Sequence, residues 1–239
     1  MKKKKRLFWI LPAALLGVLA GAFFLYVSLY SRAEPSALEA LVSDGTVSVT
    51  ETAYGWFFDG PGEGDAWIFY PGGKVEETAY APLLRRVAEG GLDVCLVRMP
   101  FRLAVFDPDG AEKVLAVQDL ERWYIGGHSL GGAMAAVYAA GHGEPAGVIL
   151  LAAYPTKPLE EGDLEILVYG SEDGVLNRDK LEEGRAYASG RVEELRIEGG
   201  NHAQFGNYGK QSGDGEARIT AEEQQKRTAD FILKAVHGG

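Results

Sequence analysis

The chain holds one cysteine, Cys95, which permits no internal disulfide. Its setting, Val94-Cys95-Leu96-Val97, reads as a buried strand, so the thiol is expected to be an inert small apolar group. No C-x-x-C, H-E-x-x-H or clustered His/Cys pattern occurs, so neither a metal site nor a cofactor is expected. Basic charge is scarce beyond the first residues. Five of the 24 Lys and Arg stand at positions 2–6, which leaves residues 7–239 with 19 basic against 34 acidic side chains, a net charge of −15. That balance excludes nucleic acid as a partner and opposes adsorption to anionic lipid. No internal repeat is present.

What the N-terminus does have is a basic cluster followed by an uncharged run. Residues 2–6 are all Lys or Arg, and residues 7–30 carry no charge. At 1.5 Å per residue a helix over that run is about 36 Å long, enough to cross a bilayer with some tilt. A cleaved signal peptide has a shorter apolar core and a small-residue cleavage site; no A-x-A-like site follows Tyr30, and the only cysteine lies far downstream. The expectation is an uncleaved signal anchor, with cleavage as the alternative. The excess of positive charge on the short side places residues 1–6 in the cytoplasm and the body of a single-pass protein outside it.

The second signal is Gly127-His128-Ser129-Leu130-Gly131, a G-x-S-x-G pentapeptide between a short strand-like run (123–125) and an alanine-rich helix-like run (133–140). A serine on such a bend is held with its hydroxyl exposed at the sheet edge, and the glycines leave room where side chains would clash. A base is needed to activate it. Of four histidines, His128 adjoins the serine and should point away from it, into packing or a supporting position. His142 lies in a Gly-His-Gly helix end and reads as a solvated cap, and His237 is the third residue from the end of the chain. His202 remains, on a flexible loop after the alternating strand 192–197. The acid that orients it should stand at the carboxyl end of a strand. Asp173, straight after the strand 164–169, does so; Asp163 precedes that strand, and Asp179 and Asp230 fall on helix-like surface. Glu172 is the alternative acid.

The order Ser129, Asp173, His202 is that of α/β-hydrolases rather than of chymotrypsin or subtilisin. The chain resembles the small α/β-hydrolases related to dienelactone hydrolases. The resemblance rests on Tyr70-Pro71-Gly72-Gly73-Lys74-Val75 with Tyr80-Ala81-Pro82, on Arg98-Met99-Pro100-Phe101, on the elbow with Gly132, on Gly170-Ser171-Glu172-Asp173-Gly174, and on Gly200-Asn201-His202-Ala203-Gln204-Phe205-Gly206. The resemblance covers about residues 46–235. Dienelactone hydrolases proper carry a cysteine nucleophile where this chain has Ser129, so their substrate does not transfer. The resemblance implies an α/β fold with a mostly parallel sheet covered by helices on both faces. It also implies an oxyanion hole made by the Leu130 N–H and by an N–H of Gly73 or Lys74 in the loop after the strand 66–70.

The remaining chain fits one catalytic domain. Residues 31–45 read as a polar tether and residues 46–239 as the domain, opening with a hairpin (46–51, 54–58). Strands at 66–70, 93–98, 123–125, 147–152, 164–169 and 192–197 then alternate with helices at about 76–89, 112–121 and 133–140, and a last helix covers 220–236. The link 153–163 has eleven residues and two prolines, too few for a helical cap, so an open site is expected. Candidate wall residues are Phe101, Leu103, Phe106, Phe205 and Tyr208, with core packing as their alternative role; Lys74 and Arg98 are candidate anion contacts or plain solvated charges. The functional expectation is a membrane-anchored extracytoplasmic serine hydrolase of the carboxylesterase kind, acting on a small-molecule acyl substrate. An acyltransferase on the same triad, or a non-catalytic binding protein with this fold, are the alternatives.

Overall fold

A computed structural model describes residues 2–62, 64–159, 164–188 and 190–238, with side chains placed at residue 12 and from residue 14 onward. Residues 160–163 of the expected capless link thus lie outside the described residues. The contacts divide the chain into Met1–Tyr30 and Ser31–Gly239. The first unit is one helix, α1 (Lys2–Ser28). Among the described residues no helix is long and apolar enough to cross a membrane; the side chains of residues 7–11 and 13, part of the expected anchor, lie outside them.

In the second unit a short helix, α2 (Pro35–Glu39), precedes β1 (Ser48–Glu51), β2 (Gly55–Asp59) and β3 (Asp65–Tyr70). There follow α3 (Ala81–Glu89), β4 (Asp93–Val97), α4 (Ala111–Leu115), β5 (Arg122–His128), α5 (Leu130–Ala139) and β6 (Gly147–Leu151). The chain closes with β7 (Leu164–Gly170), α6 (Arg178–Arg185), β8 (Arg191–Ile197) and α7 (Ala221–His237). The eight strands form one sheet in the order β1-β2-β4-β3-β5-β6-β7-β8. β2 runs antiparallel to both its neighbours and all other pairs are parallel.

Parallel strands buried on both faces read as continuous apolar runs, and the core shows why. Trp67, Phe69, Val94, Leu96, Ile166 and Val168 face one cluster with α3 and α7. Their neighbours Ile68, Tyr70, Cys95, Val97, Leu167 and Tyr169 face the other, with α4, α5 and α6. Cys95 is fully buried, and burial pushes its thiol up to about 12, as its inert reading requires. The edge strands β1 and β8 are largely exposed, and β8 is rich in charge, which discourages pairing with another chain.

Three expectations change. Residues 31–45 are not a loose tether. The Ser31 N–H donates to the Lys74 carbonyl and the Ser31 carbonyl accepts the Glu76 N–H, the Ala33 N–H donates to Glu76 Oε2, and Ala37 is fully buried. Arg85 adds hydrogen bonds to the carbonyls of Ala40 and Val42. The helix expected from residue 76 opens as a 3₁₀ turn, Glu77–Tyr80, and becomes α-helical only where Pro82 can occupy the first turn. The helix expected over 112–121 is the short α4, beyond which the Gln118 amide turns inward to donate to Tyr54 Oη.

One buried acid of the sheet makes stability depend on pH. Glu165 on β7 is 1% exposed, and neither carboxylate oxygen has a hydrogen-bond partner among the described residues. Burial, with a smaller contribution from Glu194, pushes its carboxyl from 4.5 to about 7. The folded protein therefore holds a proton that the unfolded chain gives up. This contribution to stability is complete below about pH 4.5 and is lost as pH rises through about 7. Glu165→Gln should leave stability at pH 5 nearly unchanged and raise it at pH 8 by roughly 3 kcal/mol. Parallel melting curves for the two proteins across that range would refute this.

Candidate active site

The strand order places the loops that matter side by side. The chain leaves β3 toward β4 in one direction and resumes with β5 on the other side, so the carboxyl ends of β3 and β5 meet where the order reverses, the usual place for a site in an open α/β sheet. Tyr70 is in register with Gly127, which brings the Pro71–Lys74 loop against the elbow. The loops after β6, β7 and β8 follow in order along the same edge. Backbone strain collects there: Lys74, Ser129 and Ala152, after β3, β5 and β6, all have left-handed φ values, of 60°, 54° and 48°.

The pentapeptide makes the bend the sequence predicts. Ser129 has φ 54° and ψ −122° and joins β5 directly to α5. A Cβ at Gly131 would stand 2.2 Å from the Tyr70 carbonyl oxygen, and one at Gly127 2.1 Å from the same atom, so both flanking positions require glycine. His202 and Asp173 meet as well. His202 Nδ1 lies 2.9 Å from Asp173 Oδ2, with both side chains almost fully buried. The second oxygen, Oδ1, accepts the backbone N–H groups of Val175 (2.9 Å) and Leu176 (2.7 Å), which fix the carboxylate plane. The opposite nitrogen, His202 Nε2, is buried and has no hydrogen-bond partner among the described residues. Glu172 is engaged elsewhere, by the Ser171 hydroxyl at 2.9 Å and by Arg218 at 3.1 Å.

Ser129 and His202 line one cavity of about 290 Å³, together with Leu130, Ala133, Ala152, Ala153, Tyr154, Val175, Leu176 and Asn177. A larger cavity, about 470 Å³, is lined by Glu34, Asn201, Gln204, Asn207, Gln211 and Glu216 among others, and by neither Ser129 nor His202. Of the expected oxyanion donors, the Leu130 N–H belongs to the first turn of α5, where helix amides have no intrahelical acceptor. The Lys74 N–H is already given to the Arg102 carbonyl at 2.8 Å. None of the described hydrogen bonds uses the Gly73 N–H, and a Cβ at Gly73 would meet the Leu130 side chain at 2.8 Å, so this backbone passes close beside the elbow.

A family model described as "Alpha/beta hydrolase family" matches residues 66–226, more than half of the chain. The chain belongs to that family. No curated protein sequence matches this α/β-hydrolase. Among solved structures it is similar to a predicted CIB-like hydrolase from Thermoplasma acidophilum, at 17% identity and a TM-score of 0.56 over 79% of this chain and 99% of that one. It is also similar to a membrane phospholipase A described as a bacterial virulence factor, at 13% identity and a TM-score of 0.59 over 100% and 99% of the two chains. Esterase 2 of Thermogutta terrifontis, phosphoramylated by tabun, matches at 15% identity with a TM-score of 0.54, over 82% of this chain and 96% of that one.

Several expected contacts of this α/β-hydrolase lie elsewhere. Phe205 and Tyr208 are core residues, packed against His128 and Tyr80 respectively. Phe101 and Phe106 meet edge to face outside the cavity, and the nearly buried Leu103 lies beside the Gly73 loop. Arg98 is neutralised by Glu77 and Glu51. His142 stacks on the Tyr138 ring and so does not stand as a purely solvated cap. The cavity wall comes instead from small residues after β6 and from 175–177 after Asp173, positions with no sequence signal of their own. Asp214 was also illegible as a site element. Its carboxylate accepts the N–H groups of His202 (3.1 Å), Ala203 (2.9 Å) and Gly174 (3.2 Å), tying the histidine loop to the Asp173 loop.

Proposed function

We propose that this chain is a serine hydrolase that cleaves a carboxylic ester or similar acyl substrate through an acyl-enzyme. The observation that carries the reading is the strained Ser129 sharing one cavity with the unpartnered His202 Nε2, whose other nitrogen is held by Asp173. Ser129 Oγ attacks the acyl carbon while His202 Nε2 takes its proton. Asp173 keeps the proton of His202 on Nδ1 and stabilises the imidazolium that forms. The N–H groups of Leu130 and Gly73 receive the negative charge that develops on the carbonyl oxygen. His202 then returns its proton to the leaving group, and water, activated by the same nitrogen, releases the acid. Within the family, the motifs around Gly72, Asp173 and His202 favour the branch related to dienelactone hydrolases, in its serine form.

A cavity of about 290 Å³ walled by Leu130, Ala133, Ala152, Ala153, Val175 and Leu176 is small and mostly apolar, which favours short acyl chains. The organophosphorus adduct of the Thermogutta esterase makes a phosphorus-based probe the natural test. A fluorophosphonate should label Ser129, and in a panel of p-nitrophenyl esters turnover should fall from short to long chains. Labelling at another serine, or none, would sink the assignment.

The membrane anchor and the extracytoplasmic site belong to the same proposal. They are supported by the basic residues 2–6, the uncharged residues 7–30 and the helical course of α1. Along α1 the side chains of Leu15, Leu16, Val18, Leu19, Phe24 and Leu25 are each 59–70% exposed, an apolar surface that water does not favour. The protein should sediment with membranes, resist extraction by high salt, and expose its catalytic unit to protease in spheroplasts. A soluble product beginning near residue 31 would show cleavage instead.

A further inference from the structure

Behind the His202 imidazole stands a second histidine. The rings of His128 and His202 have centroids 4.5 Å apart, and His128 is 1% exposed. Its Nδ1 lies 2.8 Å from Tyr80 Oη, which in turn accepts the Gly72 N–H at 3.1 Å. The backbone of Gly72 comes so close that a Cβ there would stand 2.6 Å from Tyr80 Oη and 2.8 Å from His128 Nδ1. This requires glycine at a position the chemistry itself does not use.

Donor counting sets the direction of the chain. Tyr80 is fully buried, and the Gly72 N–H can only donate to it. His128 Nδ1 is then the acceptor within reach of the Tyr80 hydroxyl proton, and the geometry points to Tyr80 donating to it. Nδ1 is then an acceptor, and the ring carries its own proton on Nε2. Burial, reinforced by the neighbouring His202 imidazole, holds His128 well below the usual histidine range, so the ring stays uncharged. Among the described residues Nε2 has no partner at hydrogen-bond geometry, and the His202 backbone close to the ring favours a proton on it.

We propose that Tyr80 and His128 are positioning residues that couple the Gly72–Gly73 loop to the His202 imidazole. The inference rests on the hydrolase reading above. One chain of contacts then places both the oxyanion donor and the base, so neither can drift relative to the other. The fixed tautomer has an electrostatic consequence as well. During acyl transfer His202 becomes an imidazolium, and a charged ring 4.5 Å away would oppose it; a ring locked as an Nδ1 acceptor does not.

The test is Tyr80→Phe in the full chain, which deletes one oxygen from the packed ring. Turnover of a short ester should fall about tenfold in kcat with KM within about twofold, the scale of one lost buried hydrogen bond. ¹⁵N NMR of the histidine rings should show wild-type His128 as a single Nε2–H tautomer that does not titrate between about pH 5 and 8, and the variant as a mixture of tautomers. A merely structural hydroxyl would lower the melting temperature and leave kcat and the tautomer unchanged. Wild-type turnover with Tyr80→Phe within twofold of it overturns the coupling alone. So does an Nδ1–H or titrating His128 in the wild type, a readout that stands even if the variant does not fold. A wild type that neither labels at Ser129 nor cleaves esters overturns the hydrolase reading, and the coupling with it.

Discussion

Ser129→Ala should abolish fluorophosphonate labelling and lower ester turnover by about 10³-fold or more. The substitution removes only Oγ. Alanine has the same Cβ, so it meets the same backbone strain at φ 54°, and the elbow glycines that admit the bend are untouched. The melting temperature should therefore stay close to that of the wild type while activity collapses. A residual rate above water is expected, because the oxyanion donors and the cavity remain. A variant that retains more than a tenth of wild-type turnover would remove Ser129 from the mechanism.

Asp173→Asn should cost about 10⁴-fold in kcat, the order found when the acid of a serine-protease triad is made an amide. The surroundings determine how the amide must turn. Val175 and Leu176 both present N–H groups to one oxygen, so the asparagine carbonyl is held there and its NH₂ group faces His202 Nδ1. A donor at that place makes Nδ1 the acceptor and moves the histidine proton to Nε2, the nitrogen that has to accept from Ser129. Glu172→Gln should cost far less, since Glu172 already spends its carboxylate on Ser171 and Arg218. Near-normal turnover in Asp173→Asn together with collapse in Glu172→Gln would transfer the acid role to Glu172.

Much of this architecture follows from local signals. The doubly apolar strands, the alternation of strand and helix, and the glycine-flanked serine each depend on a few consecutive residues, so periodicity and steric demand reveal them. Trp67 and Phe69 facing one cluster while Ile68 and Tyr70 face the other is that periodicity in three dimensions. The same reasoning narrowed the candidate base to His202 and the candidate acid to Asp173 or Glu172, because both lie just past predicted strands. Where local reasoning failed, a distant partner was responsible. Residues 31–45 are polar and look solvated, yet they pack down because Glu76 and Arg85 carry the matching groups.

The sequence by itself determined the fold class, the elbow and the order of the three polar residues, since each is a property of spacing along the chain. Tertiary structure decided which candidates meet and which are already occupied. Lys74 and Gly73 are indistinguishable as donors in sequence; the Arg102 carbonyl, 28 positions on, takes the Lys74 N–H. Asp173 and Glu172 are neighbours, and only the fold turns one toward His202 and the other toward Arg218. His128 reads as a residue set aside by the bend, and Tyr80, 48 positions away, meets its Nδ1 while its ring lies against His202. Such choices depend on hydrogen-bond partners brought together by strand order, and no window of consecutive residues contains both halves of the pair.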